Sequence, residues 1–207
     1  TRLLYGFRYT MVFAIGAWLL TYLVGITIGA LMGYMGGKAD LIGQRVVEVV
    51  ESIPILFVLI TIISIFTPSL PLLIVFFALL GWTPISAYMR ALFLSLRNRE
   101  YVEAAKAIGA DHSRIIKKHI LPNALTPIIT FAPFAISANV YVLSFLDYLG
   151  LGLRPPTPSW GELMAQAQKW FTIAEWLVWG PLLAIVVTLI LLNNIGNAVR
   201  DAFDAKM

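Results

Sequence analysis

Glu103-Ala-Ala-Lys-Ala-Ile-Gly109, closed downstream by Ile120-Leu-Pro122, is a polar, basic island between strongly hydrophobic runs. The chain is 59% hydrophobic, only 13% charged, and has a mean hydropathy of +0.84. A soluble domain carries about 25% charged residues. No charge occurs in residues 9–37, 52–89, 120–146 or 176–199. Each of these runs exceeds the ~20 residues that a helix needs to cross a bilayer. The 52–89 run is long enough for two helices, and Pro68, Ser69 and Pro71 divide it. Five spans follow, roughly 8–34, 45–66, 70–96, 122–146 and 175–199. No ten-residue alternating pattern recurs, which argues against a barrel. The reading is an all-α, polytopic membrane bundle. Residues 1–207 form one transmembrane domain, with a loop at about 98–121 and another at about 147–174. There is no cysteine, so thiol chemistry is excluded.

The location of charge gives the topology. Residues 90–118 hold seven basic side chains (Arg90, Arg97, Arg99, Lys106, Arg114, Lys117, Lys118) against Glu100, Glu103 and Asp111. The 147–175 loop holds Arg154 and Lys169 against Asp147, Glu162 and Glu175. Counting Lys and Arg, the first loop is cytoplasmic and the second external. The net charge of +4 is thus a topology signal, and a nucleic-acid partner is not expected. Threaded this way, residue 1 falls outside, with Arg2 and Arg8 on the wrong side for the rule. At least one further N-terminal helix is therefore expected in the native protein, giving six or more spans.

Gly25, Gly29 and Gly33 recur every four residues on one face of the first span. Such a stripe lets two helix backbones approach closely in lipid. Pro54, Pro84, Pro127 and Pro133 are candidate kinks. In the island, Ala104, Ala105 and Ala107 favour helix and offer a small face. Gly109 suits a left-handed helix stop. Asp111 can cap a second helix whose apolar side is Ile115, Ile116 and Ile120, and Pro122 opens the next span. The result is two short helices at an angle. They either dock into a partner's groove or form an amphipathic interfacial connector.

The pattern Glu103-Ala-Ala-x3-Gly109 with Leu121-Pro122 resembles the EAA loop of ABC importer permeases. His119 stands where that loop usually has isoleucine, and His119-Ile-Leu-Pro-Asn123 is similar to the peptide-transporter branch. So are Gly36-Gly37 with Asp40 and Arg45, Phe93-x-Ser95-Leu-Arg97, Leu149-Gly-Leu-Gly152, Pro155-Pro-x-Pro-Ser-Trp-Gly161 and Arg200-Asp-Ala-x-Asp204. The resemblance is nearest to C-type permeases of dipeptide, oligopeptide and microcin C-type importers. It implies the ABC type I importer permease fold in a bacterial inner membrane. It also implies a homologous second permease, two ATPase subunits and an extracytoplasmic substrate-binding protein as partners, with membrane lipid around them. Glu103, Ala104, Ala105, Gly109, Ala110, Asp111, Leu121 and Pro122 would then be the ATPase-coupling residues. ATP and magnesium would be bound by the ATPase subunits, leaving no cofactor in this chain. Nickel or another small solute is the alternative cargo, and a secondary transporter the rival class.

Other residues are more ambiguous. Arg45, Glu48 and Glu51 share a helix face at i, i+3, i+6. The two carboxylates either line a path for a charged substrate, or Arg45 pairs with Glu48 while Glu51 reaches water. Asp147, at the outer end of the fourth span, either meets a peptide amino group or caps the helix. Ser159-Trp-Gly-Glu162 reads as a capping box opening a short external helix, with Trp160 and Trp170 near the interface. That helix meets either a binding protein or the membrane surface. His112 and His119 lack the spacing of a metal site. No Walker A sequence and no His-Glu-x-x-His is present, so enzymatic activity is not expected.

Overall fold

A computed structural model describes residues 1–204, and among these every regular element is helical. The last three residues of the expected domain lie outside the described residues. The helices are α1 (Arg2–Met35), α2 (Gly37–Glu51), α3 (Ile55–Ile65), α4 (Leu70–Leu80), α5 (Thr83–Leu96), α6 (Glu100–Ala107) and α7 (His112–Ile115). A π-helical turn over Ile116–Ile120 leads into α8 (Leu121–Tyr148), and α9 (Trp160–Lys169) and α10 (Trp176–Asp204) follow.

Among the described residues, three helical stretches are long and apolar enough to cross a membrane by themselves: α1, His112–Tyr148 and α10. Two bent pairs raise the number to five if each pair is one span. The pair α2 and α3 bends by 67° and α4 and α5 by 43°. The expected 45–66 and 70–96 spans are therefore not single straight helices, and each bent pair has the geometry of a broken span or a re-entrant loop. Pro54 sits in extended backbone before α3, where its ring cannot continue α2. Gly81 and Trp82 separate α4 from α5, and Pro84 occupies the first turn of α5, where its missing N–H is harmless. Pro127 and Pro133 interrupt nothing: α8 runs through both. The hydrophobic run also hid the true start of α2, which begins at Gly37 because its first turns are polar.

The chain forms two compact units. One comprises Thr21–Ile53 and Leu79–Thr130. Its apolar core joins Met89 and Phe93 of α5, Val102 and Ala105 of α6, Ile115 and Ile120, and Ala124 and Ile128 of α8. The glycine stripe belongs here. A Cβ at Gly25, Gly29 or Gly33 would run into the carbonyl oxygen of Trp82, Ser86 or Arg90 respectively. These three carbonyls recur every four residues, from the N-cap of α5 along the helix. Gly25–Gly33 thus rests on the α5 backbone and on the inner atoms of Ile85, Met89 and Phe93, the close approach that small residues permit in lipid.

The other unit comprises Thr1–Leu20, Pro54–Ala78 and the chain from Phe131 on. Ala14, Val140 and Trp160 form its core with Leu163 and residues of α10 around them. Trp160 is only 2% exposed, and its indole Nε1 donates to the Leu3 carbonyl at 3.0 Å. The expectation of an interfacial Trp160 is corrected: the ring is a core residue that ties α9 to the start of α1. Trp170 remains exposed.

Candidate functional site

The loop between α5 and α8 is built on its own core. Val102 and Ala105, one turn apart on α6, point into the cluster with Met89, Phe93 and Ile120. This leaves the opposite side of α6 open. Glu103 and Ala104 are exposed, as are Ala107 and Gly109. The small face expected of Ala104, Ala105 and Ala107 is thus divided, because Ala105 is buried within the chain and unavailable to a partner.

α6 ends as the sequence requires. Gly109 has φ +82°, its N–H bonds the Lys106 carbonyl at 3.0 Å, and Ala110 N–H bonds the Ala105 carbonyl at 3.0 Å. This pair of bonds is a Schellman cap. It turns the chain sharply and leaves Ile108 at the apex, 87% exposed. An isoleucine so exposed outside a membrane-length helix is a knob with no socket in its own chain. In the sequence pattern it is one of the three unspecified positions between Ala105 and Gly109. An open groove of about 390 Å³ runs beside it, bordered by Tyr101, Ala104, Arg114 and His119. Tyr101 and His119 have ring centroids 6.5 Å apart across this groove.

Asp111 occupies the N-cap position of α7 with extended backbone, yet its side chain makes no capping bond. The expected cap is therefore positional only. Its helix is a single turn that continues through the π-turn into α8, so the second helix is not separate. A proline ring two residues into a continuing helix collides with the carbonyl four back, and a widened turn is one way to relieve it. Leu121 N–H reaches back to the Ile116 carbonyl, and the Asn123 amide donates to the His119 carbonyl at 2.7 Å. Leu121 packs against the core while Pro122 is exposed. Ala110 is partly buried against the same core.

The candidate path residues are divided between the two units. Glu48 and Glu51 lie exposed on α2, in the unit that holds the loop, whereas Asp147 lies in the other unit. Arg45 Nη1 and Glu48 Oε2 are 2.6 Å apart, the pairing foreseen as one of two readings. Asp147 is withdrawn from the surface, at 3% exposure. Its Oδ1 accepts from Leu153 N–H at 2.6 Å, and Gly152 and Gly161 approach it so closely that neither position has room for a Cβ. Asp147 pins the turn after α8, where Gly150 (φ +73°) closes a second Schellman cap with Leu151 N–H on the Leu146 carbonyl at 2.8 Å. Of the expected capping box one half forms: Glu162 N–H donates to Ser159 Oγ at 3.2 Å. The Glu162 carboxylate instead accepts from Gln166 and lies 3.9 Å from Arg2.

Sequence reading also missed a set of bonds at the α1–α2 turn. Arg90 donates through Nε and Nη2 to the two carboxylate oxygens of Asp40, the second at 2.6 Å. Arg97 Nη1 donates to the carbonyls of Gly33 and Tyr34, each at 3.2 Å. Tyr34 Oη and His112 Nδ1 are 2.6 Å apart. A signal was present: an arginine in the third span demands a partner, and Asp40 is the acidic residue just past the first.

Comparison with known proteins gives a consistent picture. Residues 25–207 match the model of a family described as binding-protein-dependent transport system inner membrane component. The chain is 40% identical over 205 residues to a peptidoglycan transport system permease protein, YejE, of Agrobacterium fabrum, covering 99% of this chain and 54% of that protein. It is 41% identical to an inner membrane ABC transporter permease protein, YejE, of Escherichia coli, covering 98% of this chain and 59% of that protein. It is 34% identical to a dipeptide transport system permease protein, DppC, of Bacillus subtilis, covering 100% of this chain and 65% of that protein. The chain thus spans between about half and two thirds of the length of these relatives. In fold it is similar to a chain of the MetNI methionine ABC transporter in inward-facing form. There the TM-score is 0.73 at 18% identity, over 97% of this chain and 95% of that one.

Proposed function

This chain belongs to the family of binding-protein-dependent transport system inner membrane components, and on that premise we propose that it is one permease subunit of an ATP-driven peptide importer. The reading assigns it half of a translocation path for di- and oligopeptides or peptide-like compounds. A homologous permease supplies the other half, two ATPase subunits drive the cycle, and an extracytoplasmic binding protein delivers the cargo. The membrane is the bacterial inner membrane, with the loop at about 98–121 in the cytoplasm and the loop at about 147–174 outside, a topology that the Lys and Arg asymmetry supports. The peptide cargo is supported by relatives named for dipeptide and oligopeptide transport.

One observation carries the coupling role. Ile108 stands 87% exposed on a hydrogen-bonded cap, beside a groove of small and aromatic residues, on a loop anchored by Val102 and Ala105. An interfacial connector would lay its apolar residues toward lipid on one amphipathic side. Here the apolar side is spent on the chain's own core, and a separate knob remains for another protein. In this scheme, closure of the ATPases moves the loop, and the helices rock between inward and outward openings. Glu103 is available to meet a basic residue of the ATPase. The loop holds no phosphate-binding motif, so hydrolysis is assigned to the partner.

The decisive experiment reconstitutes the full-length chain with its partner permease, ATPases and binding protein in liposomes. ATP-dependent uptake is measured for labelled alanine peptides of two to five residues and for nickel ions. Peptide uptake that disappears without ATP is the expected result. Nickel uptake with no peptide of any length would overturn the cargo, and transport undiminished without the ATPase would overturn the class.

A further inference from the structure

The turn between α1 and α2 is bonded to the chain on both sides of α6. α5 leads into the loop, and two of its side chains reach the turn. Arg97 Nη1 donates to the Gly33 and Tyr34 carbonyls at 3.2 Å, satisfying acceptors that the end of α1 leaves open. Two turns earlier, Arg90 holds Asp40 in a fork-to-fork pair, and Gln44 adds a donor to the same carboxylate at 3.1 Å. α7 follows α6 within the loop, and its first residue, His112, meets the Tyr34 hydroxyl at 2.6 Å with the two rings edge to face. The turn itself is shaped for this. Gly36 has φ +64°, and a Cβ there would stand 2.6 Å from Arg97 Nη1.

Stability alone does not call for this arrangement. Desolvating a charge pair costs much of what the pairing returns, and apolar replacements of such pairs are often neutral or better. A planar guanidinium on a carboxylate does, however, fix both distance and orientation. With side-chain exposures of 28% and 12%, the Arg90–Asp40 pair is shielded enough to hold that geometry. We infer that the Gly33–Asp40 turn is a strut joining the two segments that flank α6, through which displacement of α6 is passed to α1 and α2. Asp40, Arg90, Arg97, Tyr34 and His112 are its positioning residues. The inference rests on the reading that this loop meets an ATPase.

The test uses the complete reconstituted importer and an equimolar mixture of alanine peptides of two to five residues. Uptake is measured beside phosphate release, and ATPase retention on the purified complex is measured separately. Asp40→Asn should retain the ATPase and its hydrolysis but move about fivefold less peptide per ATP, the low end of ordinary coupling between sites. The exchange Asp40→Arg with Arg90→Asp should recover most of that ratio. Tyr34→Phe keeps the ring and loses one hydrogen bond, so a drop of about twofold is expected. If Asp40→Asn is not recovered in the membrane, the ratio for Tyr34→Phe decides alone. Native ratios in the variants would overturn the strut, and so would uptake, hydrolysis and ATPase retention falling in step, which is the mark of a merely structural pair. A native complex that holds no ATPase, or moves none of the peptides, would sink the importer reading and the strut with it.

Discussion

Replacing Gly109 by alanine isolates one physical term. The residue sits at φ +82°, and a Cβ built there has no atom within 4 Å. Volume inside the chain therefore plays no part, and the cost is that of holding an L-residue in the left-handed region, about 1–2 kcal/mol. A free loop escapes that cost by relaxing its cap. A docked loop cannot, because the Lys106 and Ala105 carbonyl bonds set the position of Ile108. The strain then appears as lost affinity for the ATPase, about 5- to 30-fold at 1.4 kcal/mol per factor of ten. Gly109→Asn should lose less, since asparagine is the next most tolerant residue at this position. Gly109→Val should lose more, because a β-branched residue is poorly tolerated at positive φ. Glu103→Ala is the control: an exposed ion pair is worth about 0–1 kcal/mol. The assay titrates purified ATPase onto the permease pair in nanodiscs and reads the dissociation constant. An alanine variant that binds like the native chain, or no better than the valine variant, would refute the argument that this cap presents the docking surface.

Three further outcomes are expected. Gly29→Leu should destabilise the unit containing the loop by more than the ~1–3 kcal/mol of ordinary overpacking, because the new Cβ meets the Ser86 carbonyl and the Met89 Cβ; thermal unfolding in detergent reads it, and an unchanged midpoint would contradict the seam. Trp160→Ala should cost about 3–5 kcal/mol by cavity formation in the same assay, whereas an effect below 1 kcal/mol would be that of a surface anchor. In intact cells, a membrane-impermeant thiol reagent should label a cysteine at exposed Lys169 and spare one at Ile108; the reverse pattern would invert the topology.

What could be read from the residues depended on how local the cause was. Gly109 was legible because a left-handed cap is a property of three or four residues. The stripe at Gly25, Gly29 and Gly33 was legible as a close-packing face, but its partner α5 was not, since nothing in a glycine specifies what rests on it. Ala105 and Ala104 are chemically alike, and only the direction of α6 over the core buries one and exposes the other. Trp160 and Trp170 present the same difficulty, resolved by a hydrogen bond to Leu3 far away in sequence. Asp147 offered a helix-end acid with two open roles, and its burial came from Gly152 and Gly161 folding back over it. Proline misled in both directions. Pro54 marks a 67° bend, while Pro127 and Pro133 lie within an unbroken helix.

The seam between α1 and α5 also sets what its genetics can look like. A side chain that is too large can usually be accommodated by a second mutation that trims the residue opposite. At Gly25, Gly29 and Gly33 the obstacles include the carbonyls of Trp82, Ser86 and Arg90, and no codon change alters a carbonyl. Revertants of a substitution here should therefore be restorations of glycine, or distant changes that slide one helix past the other. Allele-specific suppressors at the facing positions of α5 should be absent from such a screen.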